Sequence, residues 1–402
     1  LALYLGTLAA ATGDEEGIGE DGIYADFETS LGEFSARLFY EEVPRTVANF
    51  VGLAEGQRDW IDFGSGLVER GKSFYDGLIF HRVIAGFMSQ TGSRNGQGTD
   101  GPGYVFRDEI GGGLEHDRAH LLSMANSGPH TNGAQFFVTA AATPWLDGLH
   151  SIFGEVVSGG SVVDAINAVA TDGGDRPLEP VVIQRVSIRR VGESAEAFDV
   201  GAWDLPLVEE IDGDLALVPE VGVVVEAGFG EGEEIWRWRS EDKKGWGALG
   251  SLYRGAGLGE AESSVIDGFG GRLRAFYRIA RASYLDGPAP GTLAGRSFDL
   301  AASGLTLKYQ IGGDGINGSL WVEFDDEGAA GFGSATEVFE LVSRPYGIDV
   351  ILDSPDINPR YLLVKMLFDV VGEAGPEGRH SISYFTGSGW EPLLDGTFEM
   401  VP

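Results

Sequence analysis

The chain has 402 residues, 43% of them hydrophobic, and its 62 acidic against 28 basic side chains give a net charge of −34. So acidic a surface repels nucleic acid and anionic lipid, and no apolar run is long enough to cross a bilayer as a helix. There is no cysteine, which excludes disulfides, thiolate catalysis and Cys-ligated metal centres, while length favours two domains over one.

Residues 1–20 open as LALYLGTLAAATG and then turn acidic. They read as a lead-in, either the tail of a secretion signal or a short strand or helix. The expected setting is exported (periplasmic, cell-surface or extracellular), with a cytoplasmic one as the alternative. IYADFETSLGEFSARLFY, residues 23–40, alternates and is broken at Leu31-Gly32, the pattern of a hairpin. Pro44 can open a helix whose apolar face is Val43, Val47, Phe50, Val51 and Leu53. Residues 56–73 are polar and glycine-containing and read as a long loop with room for a small hairpin.

Short strands and glycine turns follow from 76 to 157. A second helix is expected over 161–169, with Val162, Val163, Ile166 and Val169 inward. VVIQRVSIRRV, 181–191, alternates again as a closing strand that can pair with the first. Residues 193–204 read as a linker between a first domain, 21–192, and a β-rich domain, 205–402, with a subdomain boundary near 290. Six of the eight tryptophans lie beyond residue 200. This second half reads as an antiparallel sandwich or barrel.

Three stretches of the first domain mix aromatic and polar residues: FHRVIAGFMSQTG (80–92), LLSMANSGPHTNGAQFFVT (121–139) and TPWLDGLHSIFGEV (143–156). They supply Phe87, Met88, Phe137, Trp145 and Leu146 as an apolar wall, and Arg82, Gln90, Asn126, Gln135 and His150 as polar groups. In order and spacing they resemble the signature blocks of the cyclophilins, peptidyl-prolyl cis-trans isomerases, over about residues 22–192. The resemblance implies a mostly β fold, an eight-stranded antiparallel barrel capped by two helices.

The implied chemistry needs no nucleophile, metal or cofactor. An X-Pro bond turns slowly, over a barrier of about 18–20 kcal/mol, because resonance makes it partly double. A catalyst must favour the twisted amide over both planar forms. By resemblance, Arg82 is the catalytic arginine, Gln90 positions it and the substrate backbone, and His150 lines the pocket edge. Phe87, Met88, Phe137 and Leu146 form the proline pocket. Ala125 and Asn126 are the rim that pairs with extended substrate, the Asn126 backbone more than its side chain. Gln135 lies on the same rim, and Trp145 is the edge tryptophan that meets larger ligands and cyclosporin-type inhibitors. His81 reads as a structural histidine.

Departures from the family pattern are Ala85, Thr91 (expected to narrow the approach to the site), and His130 and Leu149 (expected on the rim). His116 and His120 stand four apart, as metal ligands on a helix do, but no HExxH pattern surrounds them. Gly96, Gly98 and Gly101 lack the lysine signature of a nucleotide loop, and Ser127 and Ser151 sit in no GxSxG elbow.

The expected function is therefore proline isomerisation in polypeptide clients. The alternative is a catalytically silent proline-peptide module whose β-rich domain recruits a protein or glycan partner. In that domain Trp236, Trp238, Trp246, Trp321 and Trp390 suit either core packing or ligand contact. Asp314, Asp325, Asp326, Asp353, Asp356 and Asp369 read as solvated turns, with calcium as the less favoured use.

Overall fold

A computed structural model describes residues 20–210 throughout; beyond them it describes strands by their backbone, with side chains only at 233–236 and 281–284. The chain divides into two compact units, Leu1–Phe63 with Glu69–Trp203, and Gly64–Val68 with Asp204–Pro402.

In the first unit, β1 (Gly22–Thr29) and β2 (Gly32–Leu38) form the hairpin that the alternation predicts. Thr29 pairs with Gly32, which leaves Ser30 and Leu31 as a two-residue turn. The Thr29 hydroxyl staples that turn, donating to the Gly32 carbonyl at 2.7 Å and accepting the Leu31 N–H at 3.1 Å. Gly32 takes a φ of +131°, which the side chains of L-residues disfavour.

Helix α1 (Pro44–Glu55) starts with proline in its first turn and has no side-chain cap at Val43. Its orphan N–H groups find a distant acceptor instead. Glu109 accepts from Arg45 N at 3.1 Å and Thr46 N at 2.6 Å, and its negative charge suits the positive end of the helix. The predicted face is the buried one: Val43, Val47, Phe50, Val51 and Leu53 are all buried. Phe50 lies 4.9–6.2 Å from the rings of Phe27, Tyr75, Phe136 and Phe153. Each such fully buried ring contributes about 1.5–3 kcal/mol of transfer free energy.

Short strands follow in the chain: β3 (Trp60–Asp62), β4 (Leu67–Glu69, whose Leu67 and Val68 are counted with the second unit), β5 (Arg82–Ile84), β6 (Met88–Thr91), β7 (Leu121–Met124) and β8 (Phe136–Thr139). The unit then returns to longer elements: β9 (Ile152–Ser158), α2 (Gly160–Asn167) and β10 (Ile183–Val191). Eight of these strands make one antiparallel sheet in the order β10-β1-β2-β9-β7-β8-β6-β5. First and last strands pair, Gly22 opposite Val191.

The regular ladder stops at β10 and β5. The segments leading into those edge strands draw the curled sheet together: Gly77 N donates to Ile183 O at 2.8 Å, Ile183 N to Leu78 O at 2.7 Å and Phe80 N to Val181 O at 3.0 Å. In α2 only Val163 and Ile166 of the predicted inward residues are fully buried, with Val162 and Val169 half-buried; Asn167 is buried beside them. Residues 193–204 carry a helical turn, Glu193–Glu196, and a 3-10 turn, Val200–Ala202, with Ala195 and Val200 buried.

In the second unit Leu207–Glu210, Phe276–Ser283, Glu233–Ser240 and Gly247–Arg254 form a four-stranded antiparallel sheet in that order. Arg281 bonds outward along it to Glu209 at 2.9 Å and Glu233 at 3.1 Å. The ladder between the third and fourth strands shifts by one residue between Arg237 and Trp238. Eight further strands, from Ser297–Ala302 to Trp390–Val401, close a barrel in chain order, Ser297 opposite Val401. The lead-in of residues 1–19, the side chains of Trp238, Trp246, Trp321 and Trp390, and those of the six aspartates lie outside the described residues.

Candidate active site

The site is laid out by strand register. Arg82 pairs with Gln90, Gln90 with Phe137, and Phe137 with Ser123, so the four form one row across β5, β6, β8 and β7. Cross-strand partners share a face, and neighbours along a strand take opposite faces. That rule separates the twin phenylalanines. Phe136 enters the aromatic core beside Phe27, Phe50 and Tyr75, while Phe137 faces the row of polar groups. Met88, two residues before Gln90, is on the same face and is buried, 2% exposed.

The same rule corrects the expectation for Thr91. It is wholly buried, opposite Phe136, with its hydroxyl donating to Ile79 O at 3.0 Å. It faces the barrel interior and does not narrow the approach.

His116 fastens the wall of the pocket to its floor. Its ring stacks on Phe137 at 6.2 Å with planes 15° apart. Nδ1 lies 2.8 Å from Asp147 Oδ1 and Nε2 lies 2.9 Å from Ser123 Oγ. The Asp147 carboxylate can only accept, so Nδ1 carries the proton and Nε2 accepts from the serine hydroxyl. The His116 backbone N–H also reaches Asp147 Oδ1 at 2.7 Å. That N–H, and then the ring, hold the Asp147 carboxyl below its ordinary range. Burial, against the pull of Asp147, keeps the imidazole below its usual pKa. Asp147 follows the 3-10 turn Pro144–Leu146, so this tie anchors the turn that carries Trp145 and Leu146. Ser123 is wholly buried and cannot meet a substrate, which removes a hydrolytic reading of the Ser-His-Asp line.

The opposite rim is also pinned. His150 Nδ1 donates to Met124 O at 2.8 Å, and its ring meets the Phe137 edge at 5.6 Å, 82° between planes. The Asn126 side chain is occupied, donating to Leu149 O at 2.9 Å and accepting from Gly128 N at 3.2 Å. Its backbone is the part left for an extended peptide. Phe87 and the 63%-exposed Trp145 face each other at 5.9 Å.

The polar end departs from the resemblance. Gln90 Nε2 donates to Gln135 Oε1 at 3.0 Å, and Gln135 Nε2 in turn donates to Gly98 O and Asp100 O at 3.1 and 2.8 Å. Gln90 is thus tied to Gln135, whereas Arg82 Nε bonds Asp175 Oδ2 at 3.3 Å. His81 is buried, and burial, then Arg176 and Arg82, push its pKa down to about 4. It stays neutral beside the arginine at pH 7, and its Nδ1 has no hydrogen-bond partner among the described residues.

One expectation about the histidines is revised. His130, expected on the rim, is 6% exposed and accepts the Asp108 N–H at 3.1 Å. His116 and His120 turn to different partners, the latter to Asp164 at 2.8 Å.

Sequence reasoning missed Asn167. This buried α2 residue donates to Ile84 O and Ser89 Oγ, both at 3.1 Å, and accepts from Gly86 N at 2.8 Å. It clamps the hairpin that carries Arg82, Phe87, Met88 and Gln90. The available signal was a polar side chain directly after Ile166 on the inward face.

A sequence profile of the family described as cyclophilin type peptidyl-prolyl cis-trans isomerase/CLD matches residues 24–188. A probable peptidyl-prolyl cis-trans isomerase A of Mycobacterium leprae is 51% identical over 166 residues, which are 41% of this chain and 91% of that protein. Peptidyl-prolyl cis-trans isomerase B of Streptomyces anulatus is 50% identical over 169 residues, 41% of this chain and 96% of that one. A solved Cryptosporidium parvum cyclophilin-type isomerase, crystallised in the presence of the dipeptide Ala-Pro, shares 30% identity over 41% of this chain and 98% of its own, with a TM-score of 0.36.

Proposed function

The chain belongs to the cyclophilin-type peptidyl-prolyl cis-trans isomerase family, and from that premise we propose how its site turns an X-Pro bond. The proline ring enters the apolar pocket of Phe87, Met88, Phe137 and Leu146. The flanking peptide lies extended along Ala125 and Asn126, with Gln90, Gln135 and His150 at the margin. Arg82, about half exposed, points its two terminal nitrogens to the peptide. One grips the carbonyl before proline and the other donates toward the prolyl nitrogen. A donor there favours a pyramidal nitrogen and weakens the resonance that sets the barrier of about 18–20 kcal/mol. The fixed guanidinium fork suits both contacts at once. No proton leaves the substrate, so His150 shapes the pocket and does not shuttle.

The observation that carries this reading is the row Arg82-Gln90-Phe137, which sets a cation, an amide and a buried ring on one face of adjacent strands. The test is NMR exchange of a short Ala-Pro-Phe peptide with the full chain and with Arg82→Ala. Fast exchange that falls about 10²-fold in the variant, the usual loss when one preorganised donor is removed, supports the assignment. Equal exchange in the two proteins removes Arg82 from the mechanism. A cyclosporin-type inhibitor is expected to compete through the exposed Trp145. The acid-rich, lysine-poor composition and the apolar opening support exported clients, to be checked by fractionating cells that make the full-length protein. For the β-rich domain, a protein or glycan partner is the reading to test by binding.

A further inference from the structure

We propose that Asp175 is a positioning residue for Arg82, taking the part that the family resemblance assigns to Gln90; this rests on the reading of Arg82 as the catalytic arginine. Three observations converge on it. Arg82 Nε donates to Asp175 Oδ2 at 3.3 Å, whereas the Gln90 side chain is turned to Gln135. The Asp175 carbonyl accepts the N–H of Val83, the next residue along β5, at 2.7 Å. One residue therefore holds both the strand and the guanidinium that the strand presents. Asp175 also sits at φ +65°, a conformation that non-glycine residues seldom adopt.

The loop is built to hold that conformation. The Asp172 carboxylate accepts the N–H groups of Gly174 and Arg176 at 2.8 and 3.0 Å. The backbone closes the turn twice, Asp172 N to Arg176 O at 2.9 Å and Asp175 N to Asp172 O at 3.1 Å. The bridge between Thr171 and Pro177 seals its base.

The consequence for the reaction follows from the shape of guanidinium. Its five N–H groups lie in one plane. A carboxylate on Nε occupies the inner edge and leaves the two terminal nitrogens for the carbonyl and the prolyl nitrogen. Fixing that plane before the peptide arrives lowers the reorganisation needed in the twisted state. Arg82 and Asp175 are each nearly half exposed, so the pair is weak and salt-sensitive. Its effect is on orientation more than on stability.

Two variants of the full chain test this. Asp175→Gly deletes the carboxylate and suits a positive φ, so the loop keeps its course. Asp175→Asn keeps the shape and removes the charge. With an uncharged acetylated and amidated Ala-Pro-Phe peptide at low salt, kcat should fall about two- to fivefold in both, the range for losing one half-exposed ion pair. KM should stay as it is. The difference from the unaltered protein should close by about 1 M salt, where screening reaches ~3 Å. The Arg82 Nε–Hε NMR signal, assigned by its loss in Arg82→Ala, should shift in both variants. Unchanged or raised kcat across the salt series would overturn the proposal while leaving the isomerase reading intact. If the full chain shows no exchange at all, the isomerase mechanism fails, and an unshifted Nε–Hε signal in Asp175→Gly overturns the contact by itself.

Discussion

The two halves of the isomerase sheet do different work. β1, β2, β9 and β10 run for seven to nine residues each; β5 to β8 run for only three or four. Long strands pair over their whole length and bury a continuous face: Ile23, Ala25, Phe27, Phe34, Ala36 and Leu38 are all sealed. Short strands spend most of their flanking chain in turns, where side chains and backbone groups are free to meet a ligand. Arg82, Phe87 and Asn126 stand at or just beyond the ends of such short strands. Stability should therefore concentrate on the first half and activity on the second.

The comparison breaks most sharply at Phe50. It touches rings from both halves, so Phe50→Ala should cost about 3–5 kcal/mol by the cavity it leaves, read as a lowered denaturation midpoint of the isomerase unit. Activity per folded molecule should hold; a variant that keeps its midpoint but loses activity would overturn the division of labour.

Asn167 is the next largest effect. Asn167→Ala removes the bonds to Gly86 N, Ile84 O and the buried Ser89 Oγ, with a loss of about 1–3 kcal/mol. It should also lower activity, because the clamp holds the hairpin that carries Arg82. An Asn167→Ala protein with unaltered turnover would show that the hairpin holds itself.

His81 sharpens the comparison through pH. Its folded pKa is about 4, below the ordinary value near 6.5. Between these values the unfolded chain binds the extra proton and the folded chain does not. Stability is therefore full above about pH 6.5 and falls as pH drops toward about 4, by ~2 kcal/mol after allowing for partial solvent screening. His81→Gln should flatten urea midpoints across that window. A slope that persists in the variant assigns the acid sensitivity to other groups.

Thr91 should give the smallest effect. Thr91→Gly removes a buried hydroxyl bond to Ile79 and should cost about 1 kcal/mol with no change in KM. A fall in KM would mean that the side chain reaches the substrate after all.

The sequence by itself determined what local periodicity and contiguous motif can carry. Alternation over 23–40 marked the hairpin, and the apolar spacing after Pro44 marked the buried face of α1. Three blocks in register carried the isomerase family. Resemblance, however, gave Gln90 to Arg82, whereas the hydrogen bond from Arg82 Nε to Asp175, 93 residues away in the chain, is a matter of tertiary structure. The helix acceptor Glu109, the clamp Asn167 and the inward turn of Thr91 and His130 were likewise decided in space. The physical reason is common to all of them. Strand and helix periods are fixed by backbone geometry within a few residues, whereas a polar side chain is satisfied by whichever group the closed sheet brings within about 3 Å.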